Sequence, residues 1–191
     1  MNNGDVLKFF DDQLTITCHH TPCHTKGHIL YQLESGEAGQ HDYSYEMKDE
    51  YMIVRSLDRI IFTGDTIFIG GCGRFFEGNA AGMLYAMDLM LKMPEDIKIF
   101  CGHEYTRANF DFCIKAEGAT NADIGAYWDV YKAKLDNKEY TIPSVMKDEK
   151  KYNVFMRCRE PSLAQIFGTD DPEKIMHALR EWKNSGNKPA L

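Results

Sequence analysis

The sequence predicts an α+β fold, and three observations carry the prediction. Residues before about 105 favour the alternating pattern of half-buried strands. Residues after it favour the three-to-four spacing of helices. The change happens once, with no internal repeat or low-complexity tract to suggest an array.

The elements follow in order. Residues 14–18, LTITC, alternate apolar and polar and read as a strand. Residues 29–33, 51–54 and 59–62 are further strand candidates. Between them, residues 34–50 are polar with two glycines and read as a long surface loop or hairpin. Met83, Leu84, Met87, Met90 and Leu91 keep helical spacing, and Pro94 closes that helix. Residues 97–100, IKIF, form a short strand of the buried type running into Gly102. Ile124, Tyr127, Trp128, Tyr131 and Leu135 mark one face of a helix. Pro161 stands at a helix start and Gly168 just past its end. Asp171-Pro172 opens a last helix, with Ile175, Leu179 and Trp182 turned inward.

Composition bounds the function. The chain has 191 residues, 43% hydrophobic and 27% charged, which is ordinary for a globular protein. At roughly 150 residues per domain this is one domain or two small ones. Its net charge of −7 argues against a nucleic-acid coat or an anionic-membrane binder, which would meet a repelling field. Six cysteines without a C-x-x-C pair suit a reducing compartment with free thiols. No apolar run approaches the roughly 18 residues of a membrane span. The start, MNNGDVLKFFDD, resembles neither a secretory signal nor an Arg-rich transit peptide. The expected location is the cytoplasm, with mitochondria left open.

Three segments gather the chemistry: TPCHTKGH at 21–28, FTGDT at 62–66 and CGHEY at 101–105. Each sets a His or Asp in a glycine-containing turn beside a strand, where a rigid sheet can hold a reactive group. Imidazole and carboxylate are ligands that zinc and iron accept. Asp65 has two oxygens and could touch two metals. His24, Asp65 and His103 lie 41 and 38 residues apart, so only tertiary folding can bring them together. Singly, each is most simply a turn former or surface residue. The ordered set of three is what suggests a site.

On these residues the chain resembles glyoxalase II, the hydroxyacylglutathione hydrolases of the metallo-β-lactamase superfamily. The matching stretches are TPCHTKGHILY, FTGDTIFIGGCGRFFEGNA, FCGHEYTRANF, YNVFMRCRE and ALREWK, spread from about residue 14 to about 183. The resemblance implies the later portion of a metallo-β-lactamase αββα sandwich, residues 1–105, and a helical C-terminal domain, residues 106–191. It implies a binuclear centre, commonly Zn2+ and sometimes with Fe or Mn. His24 would bind the first metal, Asp65 would bridge, and His103 would bind the second. The implied reaction is hydrolysis of S-(2-hydroxyacyl)glutathione, typically S-D-lactoylglutathione, to glutathione and a 2-hydroxy acid. A metal-bound hydroxide would attack, so no side-chain nucleophile is needed.

The resemblance also implies the substrate contacts. Glutathione is anionic and the protein is acidic, so a local cationic patch is required. Arg74 matches a basic position that holds the glutathione backbone. Arg180 and Lys183, i and i+3 on the last helix, match the pair that meets the glycine carboxylate. Tyr105 matches an aromatic hydroxyl beside the metal, and Phe76 stands where some relatives have Tyr.

One departure shapes the expectation. The family's first ligand cluster, H-x-H-x-D-H, is not found among the seven histidines, at 19, 20, 24, 28, 41, 103 and 177. His41-Asp42 reads as surface, and His19 and His20 point to opposite faces of a strand. The chain is therefore expected to be impaired alone, with a bared sheet face through which it self-associates. Alternatives are a non-catalytic truncated remnant or a glutathione-conjugate-binding module. A persulfide dioxygenase with one iron is the weakest alternative, since those relatives lack the helical C-terminal part.

Overall fold

A computed structural model describes residues 1–35, 45–48, 51–54 and 59–189. The strand-rich part contains β1 (Val6–Phe9), β2 (Leu14–His20), β3 (Ile29–Ser35), β4 (Tyr45–Lys48), β5 (Tyr51–Val54), β6 (Arg59–Gly64), β7 (Ile67–Phe68) and β8 (Gly71–Cys72). Helix α1 (Ala80–Leu91) and strand β9 (Lys98–Cys101) follow. The rest is α2 (Thr106–Glu117), α3 (Ala122–Asp136), β10 (Ser144–Val145), α4 (Met146–Tyr152), α5 (Pro161–Phe167) and α6 (Pro172–Ser185). The expected α+β order is observed. Tyr45–Lys48, within the segment read as loop or hairpin, pairs antiparallel with β5. His41-Asp42 lies outside the described residues.

The main sheet has the order β1-β2-β3-β6-β9-β10. Its neighbours are antiparallel except β6 and β9, which are parallel. Strands β2, β6 and β9 consequently point the same way, and the turns that follow them leave from one edge.

Alternation gives the sheet two faces. Leu30, Ile61 and Ile99 are fully buried and join a cluster with Met83, Met87 and Met90 of α1. The same cluster continues through Phe110, Tyr152 and Phe155 to Ile175, Leu179 and Trp182. Each fully buried side chain of this size contributes about 1.5–3 kcal/mol. On the other face Tyr31, Phe62 and Phe100 are paired in register, and Tyr31 and Phe62 are exposed.

Helix ends follow their sequence signals. The Asn79 side chain caps α1 at Gly82 N, and Asp171 caps α6 at Glu173 N and Lys174 N. Gly168 and Gly186 close α5 and α6 in the left-handed conformation. Helix α1 packs on α6, and α2 on α3.

A buried ion pair ties the helices together. Arg157 Nε and Nη2 donate to the two oxygens of Glu117, at 2.8 and 2.9 Å, and Ser162 Oγ donates to the same carboxylate. Burial pushes the Glu117 carboxyl up, but these hydrogen bonds and the Arg157 charge outweigh it and hold it below its usual range.

Candidate functional site

The turns after β2, β6 and β9 carry His24, Asp65 and His103, and the shared strand direction brings the three together. His24 Nε2 lies 3.3 Å from Asp65 Oδ2, and His103 Nε2 lies 3.5 Å from Asp65 Oδ1. One carboxylate thus faces an imidazole with each oxygen. His24 Nδ1 donates to the Arg74 carbonyl at 2.9 Å, which leaves Nε2 bare toward Asp65.

Glycines make the approach possible. A Cβ on Gly73 would sit 1.9 Å from the Asp65 carbonyl oxygen, and one on Gly102 would sit 2.7 Å from Asp65 Oδ1. No other residue fits either place. His28 holds the Asp65 turn from below. Its Nε2 accepts from Asp65 N at 3.2 Å, and its Nδ1 meets Thr66 Oγ1 at 3.0 Å. Burial, then the neighbouring His24, pushes His28 below its usual value, so a neutral ring serves as this support.

These residues line a cavity of about 460 Å³. Phe68, Cys72, Arg74, Phe76, Tyr105, Asn109, Arg180 and Lys183 complete its wall. All eight residues singled out in the sequence therefore converge. The Phe76 ring lies 4.9 Å from that of His24, and the Tyr105 ring stacks on His103 at 5.2 Å.

The cationic wall comes from α6. Arg180 is 5% exposed, and its Nη1 donates to the Cys72 carbonyl at 3.2 Å. Its Nε is buried without a hydrogen-bond partner among the described residues. Lys183 is half-buried, lies over the rings of Phe112 and Phe155 and donates to Asn109 Oδ1. Burial pushes its ammonium down to about 8. Among the described residues neither cation is paired with a carboxylate. An unpaired buried charge is costly, so an anion placed here would be stabilised by both cations.

The β7–β8 turn joins the two walls, and side chains hold it through its backbone. Glu149 Oε2 accepts from Gly70 N, Asn109 Nδ2 donates to the Ile69 carbonyl, and Asn153 Nδ2 donates to the Gly71 carbonyl. Glu149 is fully buried, and burial pushes its carboxyl up to about 7. Asn109 and Asn153 lie inside the matching stretches FCGHEYTRANF and YNVFMRCRE, but no role was readable for either, because their partners are distant in the chain. The thiols play no nucleophilic part here. All six cysteines are free, and burial pushes the cavity's Cys72 thiol up, against thiolate formation.

The donor set can be tested against a metal. Imidazole, bridging carboxylate and imidazole are the right types, and His24 presents the free nitrogen that a ligand needs. They fit the edge of a metal site. Their number does not reach a complete two-metal centre: each position has two donors, where a catalytic zinc normally has three from protein. Among the described residues no group of three or more His, Cys, Asp or Glu is arranged to hold a metal ion. His19 and His20 offer no substitute, since His19 bonds Gln32 and His20 bonds the Lys26 carbonyl.

The chain is similar to known proteins over nearly all of its length. Residues 104–186 match the family model "Hydroxyacylglutathione hydrolase C-terminus". A hydroxyacylglutathione hydrolase of Dictyostelium discoideum is 37% identical over 177 residues, 92% of this chain and 59% of that protein. The chain is a homologue of the hydroxyacylglutathione hydrolases. A cytoplasmic hydroxyacylglutathione hydrolase of Arabidopsis thaliana is 34% identical over 185 residues, 96% of this chain and 64% of its own. The chain thus spans about 60% of the length of these relatives. Among solved structures, ETHE1 from Myxococcus xanthus superposes with a TM-score of 0.51 at 16% identity, over 99% of this chain and 52% of its own. A metallo-β-lactamase from Staphylococcus aureus gives a TM-score of 0.51 at 16% identity, over 100% of this chain and 40% of its own. The fold is therefore part of the metallo-β-lactamase fold, with helices at its C-terminal end. The hydroxyacylglutathione hydrolase model takes in Tyr105, Arg180 and Lys183, and His24, Asp65 and His103 lie outside it.

Proposed function

We propose that the cavity takes a glutathione thiolester, and that the chain's reaction is the one its relatives are named for, hydrolysis of an S-(2-hydroxyacyl)glutathione. The observation that supports this is the single cavity that sets two uncompensated cations beside a bridged pair of imidazoles. S-D-lactoylglutathione is the substrate proposed.

In this reading Arg180 and Lys183 meet the glycine carboxylate. Arg180 donates with its planar guanidinium, and Lys183 supplies a point charge held by Asn109. Arg74 reaches the peptide backbone, and Phe76 offers the substrate an apolar surface. Tyr105 sets its hydroxyl beside the thiolester. His24, Asp65 and His103 would hold metal, with zinc the proposed ion. Bound there, it would supply a hydroxide and polarise the thiolester carbonyl. Hydrolysis joins the water oxygen to the acyl carbon and breaks the C–S bond, so glutathione leaves as the thiol and the acyl group as a 2-hydroxy acid.

The proposed organisation is a metallo-β-lactamase-like unit at 1–105 and a helical substrate-holding unit at 106–191. The proposed location is the cytoplasm, with mitochondria left open. Among the described residues no helix is long and apolar enough to cross a membrane. No nucleic-acid or membrane partner is proposed, while the Tyr31–Phe62–Phe100 face is proposed to drive self-association.

Calorimetry with S-methylglutathione, a stable thioether, tests binding without turnover. The chain is expected to bind it, and R180M/K183M to lose at least about tenfold in affinity, as removal of two charge-assisted hydrogen bonds requires. Zinc-loaded chain is expected to release thiol from S-D-lactoylglutathione only slowly, since its donor set is incomplete, and D65N to abolish that release. Failure to bind S-methylglutathione would overturn the glutathione reading; binding without thiol release would overturn hydrolysis by this chain and leave a binding module.

A further inference from the structure

Lys183 poses a problem that its surroundings solve in an unusual way. An ammonium lying over two aromatic rings needs a hydrogen-bond acceptor to fix its direction. A carboxylate would be the ordinary partner, but it would cancel the charge that the cavity presents. The acceptor is instead the side-chain amide of Asn109, 2% exposed, whose Oδ1 receives Lys183 Nζ.

The same amide has a second duty. Its Nδ2 donates to the Ile69 carbonyl at 2.9 Å, at the head of the turn that leads to Cys72, Gly73 and Arg74. The two partners settle the amide's orientation, since Lys183 can only donate and a carbonyl can only accept. Asp at this position would accept but not donate. An apolar residue would do neither. The amide also lies against Gly71, where a Cβ would come within 2.7 Å of its carbon, nitrogen and oxygen alike. Only glycine at 71 leaves room for the amide there.

We propose that Asn109 is a positioning residue for anion recognition: a neutral acceptor that aims Lys183 into the cavity as an uncancelled cation while pinning the Ile69 carbonyl. The proposal rests on the reading of the cavity as a glutathione site. It also gives a specificity rule: a ligand without a carboxylate at this wall gains nothing from the arrangement.

Two readouts on the full chain test it, and they fail separately. The first is the titration of Lys183, followed by NMR of the side-chain ammonium without ligand. N109D is expected to raise the Lys183 pKa, because a carboxylate then faces it, and N109A is expected not to raise it. An unchanged Lys183 titration in folded N109D would overturn the proposal whatever the ligand is. The second is affinity for S-methylglutathione. N109D is expected to lose at least about tenfold, the scale of one charge-assisted contact cancelled in a desolvated site, and N109A about threefold, since the charge stays but loses its aim. S-methylglutathione amidated at its glycine carboxylate is expected to bind the wild type more weakly than the free acid and to show a much smaller difference between wild type and N109D, the part that comes from the lost Ile69 contact.

The difference between the two ligands carries the argument. A purely structural role would weaken the free acid and the amide alike, because N109D and N109A both lose the Ile69 contact. Equal losses for the two ligands, or wild-type affinity in N109A, would overturn the proposal, and N109A alone decides it if N109D does not fold. Should the wild type ignore S-methylglutathione, the glutathione reading falls, and the Lys183 titration still decides the positioning role.

Discussion

The two walls of the cavity are built differently. The cationic wall is a helix face: Arg180 and Lys183 sit on α6 among Phe112, Phe155 and Trp182, each with an assigned acceptor. The imidazole–carboxylate wall is made of turns, and the His103 side chain is 54% exposed. The first wall is held by packing in a buried core. The second is held by strand direction and by glycines that let Asp65 come close. On the proposed reading the contrast separates two needs, recognition by a buried cation pair and chemistry by ligands that an added ion would finish. It also agrees with the extent of the family model, which takes in the first wall and stops beside His103.

The largest effect should come from breaking the buried ion pair of the helical part, on which the first wall is mounted and which the turn wall lacks. R157M removes the partner of Glu117, whose side chain is fully buried, and leaves a carboxylate uncompensated. Such losses cost about 3–5 kcal/mol. Urea unfolding at pH 7 is expected to show a loss of this size. A change below about 1 kcal/mol would mean that the helices do not depend on this pair, and the contrast between the walls would weaken.

A smaller effect is expected at the start of α6. Asp171 caps the helix at Glu173 N and Lys174 N, and its replacement by Ala should cost about 1 kcal/mol. Arg180 and Lys183 lie more than two turns further on. Affinity for S-methylglutathione is therefore expected to stay as it is while stability falls. A parallel loss of affinity would show that the cationic wall depends on the helix start and not on local packing.

The sequence showed these walls unequally. Helix α6 was readable from Asp171-Pro172 and from Ile175, Leu179 and Trp182, because caps and helical spacing are local signals. The meeting of His24, Asp65 and His103 was readable only as a set of three turns and by family resemblance. What brings them together is the common direction of β2, β6 and β9, which no local pattern encodes. The two-residue strands β7 and β8 are too short to show a period. Asn109 was invisible for another reason. It lies on α2, 74 residues from Lys183, and nothing about an isolated Asn announces such a partner.

The smallest effect tests the charge on the cationic wall directly. Burial holds the Lys183 ammonium down to about 8, so it loses its proton within an accessible range. The cation is full below that pH and fades above it, and an anion that needs the cation must bind less well as pH rises. With a pKa of about 8, the protonated fraction falls about threefold between pH 7.5 and 8.5, and affinity for S-methylglutathione should fall by the same factor. K183M should bind more weakly at both values and lose this pH dependence. The sign is opposite for folding: the unfolded chain keeps the Lys183 proton up to its ordinary value near 10.5, so this residue's contribution to stability rises with pH between about 8 and 10.5. Binding and stability thus respond to the same proton in opposite directions, a pairing that a fully solvated lysine on a helix surface would not produce.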